Sequence, residues 1–140
     1  MALIYLDTSV VLSLHVVDVH TAKVTDRMQK SRSKFAVSPW VRAEAVSALG
    51  IMVRRKDLGA PLARQAFEDI QALCDDAQTL PVTAAAYDLA ARWMLDFDLG
   101  LRAGDALHAA IAKLNKAQLF TCDKLLVKVG AKLGFKVLTV

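Results

Sequence analysis

Four acidic side chains in this sequence occupy positions from which carboxylates could act together. They are Asp7, Glu44, Asp105 and Asp123. Asp7 directly follows the apolar run 2–6, and Asp123 follows a second apolar run that ends at Thr121. From residue 101 to 140 the chain has seven Lys or Arg residues but only two acids, Asp105 and Asp123. A basic segment that keeps these two carboxylates indicates a specific use for them.

Carboxylates that converge on one place repel each other strongly unless a cation lies among them. Oxygen ligands without a cluster of His or Cys suit Mg²⁺ or Mn²⁺. Such an ion activates a water molecule and neutralises charge on a phosphate, which is the chemistry of phosphodiester hydrolysis. If the four acids converge, they therefore predict a Mg²⁺ (or Mn²⁺) site of this kind.

Short apolar runs alternate with longer amphipathic segments along the whole chain. The predicted strands are 2–6, 35–38, 78–82, 118–121 and 136–140, and the predicted helices are 9–17, 20–30, 39–54, 60–76, 83–94, 102–116 and 124–133. The stripe of the helix over 102–116 is Leu107, Ala110, Ile111 and Leu114. This alternation predicts an α/β fold with a parallel sheet covered by helices on both faces. Functional groups in such sheets collect at the carboxyl ends of the strands, where Asp7 and Asp123 are expected.

Each acid also has an ordinary structural explanation, and these alternatives stay open. Asp7 and Asp123 are suited to capping the helices that follow them. Asp105 lies in the first turn of a predicted helix, where the helix dipole favours a negative charge, and Arg102 is available as a partner. Glu44 has the position of a surface acid, although no basic residue lies one helical turn away.

A row of lysines follows Asp123. Lys124, Lys128 and Lys132 recur at four-residue spacing, so they share one face of the last predicted helix. Such a row attracts a polyanion. An ordinary solvated helix face is the alternative interpretation.

Composition limits the class of protein. A length of 140 residues suits one domain over residues 1–140. No apolar stretch approaches the roughly 20 residues of a membrane span, and the N-terminal segment lacks a basic signal-peptide region. The two cysteines, Cys74 and Cys122, lie far apart, which favours reduced thiols in a cytoplasmic protein without membrane association.

Three stretches of the sequence, together with the helix that carries Glu44, resemble one family. They are Leu6-Asp7-Thr8-Ser9, Asp105-Ala106-Leu107-His108-Ala109-Ala110 and Thr121-Cys122-Asp123. The chain resembles a PIN-domain ribonuclease over essentially its whole length, in particular the VapC-type toxin of a bacterial toxin–antitoxin pair. The resemblance implies a three-layer α/β/α PIN-like fold with a short, mostly parallel central sheet. It also implies a magnesium-dependent endoribonuclease, a small cognate antitoxin and a homodimer.

The resemblance assigns roles to individual residues. Catalytic and metal-binding acids would be Asp7, Glu44, Asp105 and Asp123, supported by the hydroxyls of Thr8, Ser9 and Thr121. The row Lys124, Lys128 and Lys132 would then bind RNA. Many relatives carry a further acid shortly after the position of Asp123, whereas Lys124 follows here, so one or two metal ions stay possible. His108 is interpreted as a residue that packs or orients a neighbour, and the segment 46–52 as a partly exposed apolar surface.

Two other functions compete with this one. A non-catalytic PIN-like scaffold would bind RNA or protein, but it would not need four mutually repelling acids. An Asp-based phosphotransfer protein could use Asp7, which follows the first strand. However, a haloacid-dehalogenase-like phosphatase needs a second Asp where Ser9 stands, and a response-regulator receiver needs paired acids at Asp7.

Overall fold

The computed structural model describes residues 2–140, and a five-stranded parallel sheet forms its centre. The strands are β1 (Leu3–Leu6), β2 (Lys34–Val37), β3 (Gln78–Thr79), β4 (Gln118–Phe120) and β5 (Val137–Leu138), in the spatial order β3-β2-β1-β4-β5. Every neighbouring pair is parallel. Since β1 is central, its carboxyl end lies between the carboxyl ends of β2 and β4.

Seven α-helices connect these strands. They are α1 (Thr8–His15), α2 (Thr21–Lys30), α3 (Pro39–Arg54), α4 (Ala60–Asp76), α5 (Ala84–Met94), α6 (Ala103–Leu114) and α7 (Lys124–Leu133). A proline in the first turn starts α3 and α4, where a missing N–H costs nothing. Side-chain oxygens of Asp7, Thr83 and Asp123 cap α1, α5 and α7 by accepting backbone N–H groups.

Helix α6 is the most deeply buried helix in the described chain. Every residue from 106 to 112 is buried, including His108 in the middle of an alanine-rich run. Small side chains let α6 lie close to both α5 and β4, its main neighbours. The first turn of α6, with Asp105, is thereby fixed relative to the sheet.

Helix α7 approaches β5 so closely that only glycine fits at one contact. A Cβ on Gly130 would lie 2.6 Å from Cγ2 of Val137 and 3.2 Å from the carbonyl oxygen of Phe135. Since real Cβ atoms do not approach other atoms to 2.6 Å, this glycine sets the distance between helix and strand. The start of α7, with Asp123, is positioned by that packing.

The predicted order of strands and helices, the parallel sheet and its two helical layers are confirmed. Two edge strands are shorter than predicted. β3 covers only Gln78–Thr79 because its partner β2 ends at Val37, just before the proline that starts α3, and β5 covers only Val137–Leu138. The prediction that Leu114 belongs to the buried stripe of α6 is wrong, since it is the last residue of the helix and 47% exposed.

The segment 46–52 of α3 exposes Val46 and Ile51, as predicted. No helix within residues 2–140 combines the length and apolar character required to cross a bilayer.

Candidate active site

The loops after β1 and β4 are joined by direct hydrogen bonds. The backbone N–H of Asp7 donates to the carbonyl oxygen of Phe120 at 3.1 Å. Ser9 Oγ donates to Asp7 Oδ1 at 2.5 Å and accepts from the backbone N–H of Cys122 at 3.0 Å. Ser9, predicted as a supporting hydroxyl, therefore ties the Asp7 loop to the segment that leads to Asp123.

Asp7 and Asp123 both cap helices. Asp7 Oδ1 accepts from the backbone N–H of Val10 at 3.2 Å, and Asp123 Oδ1 accepts from that of Leu125 at 2.8 Å. Thr121 Oγ1 in turn accepts from the backbone N–H of Asp123 at 3.0 Å. The capping alternative is thus realised for both acids, yet a cap engages only one oxygen of a carboxylate. Capping and metal binding are therefore compatible.

Asp7 is almost completely enclosed, with only 3% of its surface exposed. Burial raises the pKa of Asp7, and this effect outweighs the opposing charge of His108 and the hydrogen bonds from Ser9 and the Val10 amide. A carboxylate in this position is stabilised by a nearby cation.

Asp105 has no hydrogen-bond or salt-bridge partner among residues 2–140, and Arg102 does not pair with it. Burial raises the pKa of Asp105 to about 6, with further increases from the charges of Asp123, Asp7 and Glu44 that the charge of His108 only partly opposes. The charges of the other three predicted acids therefore act on Asp105 and disfavour its ionised form.

One carboxylate oxygen of Glu44 accepts hydrogen bonds from two side chains. Oε1 accepts from Thr8 Oγ1 at 2.7 Å and from His108 Nε2. Although burial alone would raise the pKa of Glu44, the hydrogen bond and charge of His108, with the Thr8 hydroxyl, hold it below its ordinary value. Thr8, the second predicted supporting hydroxyl, acts on Glu44.

The other oxygen of Glu44 lies against the first turn of α6. A Cβ on Gly104 would lie only 2.6 Å from Glu44 Oε2. A glycine directly before Asp105 therefore permits the Glu44 carboxylate to lie beside that turn. Sequence reasoning did not single out Gly104, because a glycine in a helical pattern has no chemical signature of its own.

Two further polar residues at this edge were also missed. Tyr5 Oη lies 2.8 Å from His108 Nδ1 and 2.7 Å from Ser38 Oγ, and all three side chains are buried. Ser38 follows β2, so it belongs to the third strand that ends at this edge. The available signals were a tyrosine inside an apolar strand and a serine at a strand end.

The donor set suits a hard divalent cation but is not a preassembled cage. Carboxylates and hydroxyls are the ligands that Mg²⁺ and Mn²⁺ prefer. In the part of the chain that the structure describes, no three His, Cys, Asp or Glu side chains form a ready metal site. The residues fit such an ion through their chemistry and mutual repulsion, and binding would require side-chain rotation.

The predicted lysine row lies on the surface of α7. Lys124, Lys128 and Lys132 are all exposed, and Lys132 Nζ lies 3.5 Å from Asp96 Oδ2. Lys124 is the first residue of α7, next to Asp123. The row therefore begins at the acids and its positive charge is partly offset at the far end.

Two cavities differ in their relation to the acids. One of about 630 Å³ lies between α2 and the sheet, and none of the four acids lines it. Another of about 420 Å³ is bordered by Glu44 and Trp40 of α3. Of these two cavities, the second is adjacent to an acid of the candidate site.

Removing the charge of Asp105 should change how stability depends on pH. Because the folded protein binds this proton more tightly than the unfolded chain, stability is lost as pH rises from about 4 through about 6. In metal-free buffer, we expect Asp105→Asn to gain stability over the parent between pH 4 and pH 7, by about 1–2 kcal/mol after solvent screening. Denaturant unfolding at both pH values measures this difference.

Asp88→Asn, an exposed acid inside α5, is the matched control and should show no such gain. If the helix dipole alone explains Asp105, the sign reverses, and Asp105→Asn becomes less stable than the parent at pH 7.

Comparison with known proteins identifies the family. The family model for the PIN domain matches residues 4–132. No curated protein matches the sequence. Among solved structures, Mycobacterium tuberculosis VapC20, a sarcin–ricin-loop-cleaving toxin, is 20% identical, with 91% of this chain and 95% of that chain covered and a TM-score of 0.71.

Two further structures share the fold. VapBC-1 from nontypeable Haemophilus influenzae is 14% identical, covering 98% of this chain and 97% of that chain with a TM-score of 0.68. FitAcB from Neisseria gonorrhoeae is 17% identical, covering 96% and 95% with a TM-score of 0.69. At these identities the similarity establishes the fold, and the family model establishes the family: the chain belongs to the PIN domain family.

Proposed function

We propose that this protein is a Mg²⁺- or Mn²⁺-dependent endoribonuclease that acts as the toxin of a bacterial toxin–antitoxin pair. The observation that carries the proposal is Asp105, a partly buried carboxylate without a hydrogen-bond or salt-bridge partner in the described part of the chain, whose pKa is raised by burial and then by Asp123 and Asp7. Such an arrangement costs stability unless a cation is bound. Among the similar folds, VapC20 is described as a toxin that cleaves the sarcin–ricin loop.

The ligands of the metal would be Asp7, Glu44, Asp105 and Asp123. A bound divalent ion supplies an activated water and neutralises charge on the phosphate. Around it, Ser9 and Thr121 hold the Asp7 and Asp123 loops, and Thr8 holds Glu44. These hydroxyls keep the carboxylates close together in spite of their repulsion.

The RNA backbone would follow the lysine row from the acids along α7. Lys124 and Lys128 make no salt bridge within residues 2–140, so their charges stay available for phosphates. Lys132 would exchange Asp96 for a phosphate, at the cost of one weak surface ion pair.

A cognate antitoxin would bind the apolar surface of α3 and α4. A groove of about 500 Å³ between these helices is bordered by Val46, Leu49, Val53 and Phe67. VapBC-5 from Mycobacterium tuberculosis, a member of the VapBC family of toxin–antitoxin systems, shares the fold at 19% identity, and a toxin–antitoxin complex from Klebsiella pneumoniae shares it at 14% identity. We also propose a homodimer and a cytoplasmic location, the latter consistent with the free thiols of Cys74 and Cys122.

A non-catalytic scaffold is the second candidate. The observation that favours it is that no three potential ligands are preassembled among the described residues. Phosphotransfer through Asp7 is disfavoured, since this carboxylate is buried and its Oδ1 already accepts two hydrogen bonds.

The nuclease proposal is tested with charge-neutral variants that keep the helix caps. Asn caps a helix about as well as Asp, so Asp123→Asn should fold normally while it loses a charged ligand. We expect Asp105→Asn and Asp123→Asn to reduce Mg²⁺-dependent RNA cleavage about 100-fold or more, because several kcal/mol of charge stabilisation is lost.

Cleavage of a structured RNA by purified protein, with Mg²⁺ or with chelator, is the measurement. Asp88→Asn should cleave like the parent. Metal binding by a folded parent that does not cleave any of transfer, ribosomal or messenger RNA would support the scaffold instead.

The toxin role has its own test in bacterial cells. We expect expression of the parent alone to arrest growth and expression of Asp105→Asn to be harmless. Co-expression of a small protein encoded beside it should restore growth. Normal growth with abundant, folded parent protein would contradict the toxin role and leave the nuclease chemistry to be judged separately.

A further inference from the structure

A buried chain of hydrogen bonds runs from the end of β2 to Glu44. Ser38 Oγ lies 2.7 Å from Tyr5 Oη, Tyr5 Oη lies 2.8 Å from His108 Nδ1, and His108 Nε2 contacts Glu44 Oε1. Ser38, Tyr5 and His108 are only 1%, 0% and 2% exposed. The chain therefore connects β2, β1, α6 and α3 without access to solvent.

The chemistry of the groups fixes the donor at Glu44. A carboxylate only accepts, so His108 Nε2 must donate to Glu44, which it does both as a neutral tautomer and as an imidazolium. His108 Nδ1 correspondingly accepts from Tyr5 Oη or donates to it. Burial raises the pKa of Tyr5, so its hydroxyl keeps the proton and donates either to His108 Nδ1 or to Ser38 Oγ.

The chain engages one oxygen of Glu44 and leaves the other free. Oε1 receives both His108 and Thr8, whereas no group within residues 2–140 donates to Oε2. Oε2 lies beside Gly104, whose missing Cβ would otherwise be 2.6 Å away, and Asp105 is the next residue. With Oε1 fixed, rotation of the carboxylate is restricted and Oε2 is kept at the first turn of α6.

We propose that Ser38, Tyr5 and His108 are positioning residues that hold Glu44 with Oε2 directed to the metal. The proposal rests on the proposed function, since it assumes that Glu44 is a ligand. Residues that orient metal ligands in this way commonly change metal affinity about 10- to 100-fold when replaced.

A purely structural role predicts a different pattern. If the chain only stabilises packing between α6, β1 and α3, each replacement should weaken metal binding in proportion to its loss of stability. If it positions Glu44, the decisive feature is a hydrogen-bond donor at the place of His108 Nε2. Two replacements separate these cases, since a Gln amide nitrogen takes the place of Nε2 and an Asn amide nitrogen that of Nδ1.

The experiment measures the dissociation constant of Mn²⁺ by calorimetry and the Tm of each metal-free protein. We expect His108→Asn to weaken binding about 10- to 100-fold and His108→Gln to retain most of the parent affinity. Tyr5→Phe, which keeps the ring but removes the hydroxyl, should weaken binding by an intermediate factor. His20→Asn and Tyr87→Phe make the same changes at residues outside this chain of hydrogen bonds and should leave the Mn²⁺ affinity unchanged.

Equal weakening by His108→Asn and His108→Gln, or weakening that follows Tm alone, would overturn the positioning role. If His108→Asn does not fold, unchanged Mn²⁺ affinity in Tyr5→Phe would overturn it as well. Glu44→Gln separates this result from failure of the proposed function. Loss of binding in Glu44→Gln with no effect at His108 and Tyr5 refutes positioning alone, whereas a parent that does not bind Mn²⁺ refutes both.

Discussion

Repulsion among carboxylates at the carboxyl end of β1 is the constraint on which the organisation of this protein depends. Asp7, Glu44, Asp105 and Asp123 come from four different segments of the chain. Burial and the charges of the other three acids raise the pKa of Asp105. The fold opposes this repulsion with the N-termini of α1, α6 and α7, which carry partial positive charge. Hydroxyl groups then fix the loops that carry the acids.

Compensation is distributed unequally among the acids. Glu44 receives two donors and Asp7 receives Ser9 and a backbone amide, whereas Asp105 receives none in the described chain. In a fold selected only for stability, a partly buried carboxylate that has no hydrogen-bond or salt-bridge partner and lies near three other acids would only be destabilising. The unequal distribution is explained if a divalent cation completes the charge balance at Asp105. The capping roles of Asp7 and Asp123 do not compete with this explanation, because each cap uses one oxygen.

The fold, and the grouping of Asp7 and Asp123 at one edge of the sheet, could be predicted from sequence because both rest on local patterns. Alternation of apolar strands with amphipathic helices predicts the parallel sheet, and strand ends place Asp7 and Asp123 at one edge. The contacts of Tyr5, Ser38 and Gly104 depend on how α3 and α6 pack over the sheet, which no local pattern specifies. The prediction that Leu114 is buried was wrong for a related reason, since helical periodicity indicates which face of a helix is apolar but not where along the helix tertiary packing ends. β3 and β5 are edge strands, and their lengths likewise depend on the one neighbouring strand with which each of them pairs.

The most direct test is an anomalous-scattering map from crystals of this protein grown with Mn²⁺. A bound ion at the carboxyl end of β1 should give a peak about 2.0–2.3 Å from carboxylate oxygens of at least two of Asp7, Asp105 and Asp123. Glu44 should lie beside it with Oε2 nearest. A map without a peak at this edge, or with manganese only in the cleft between α2 and the sheet, would contradict the central claim that these acids form a metal site.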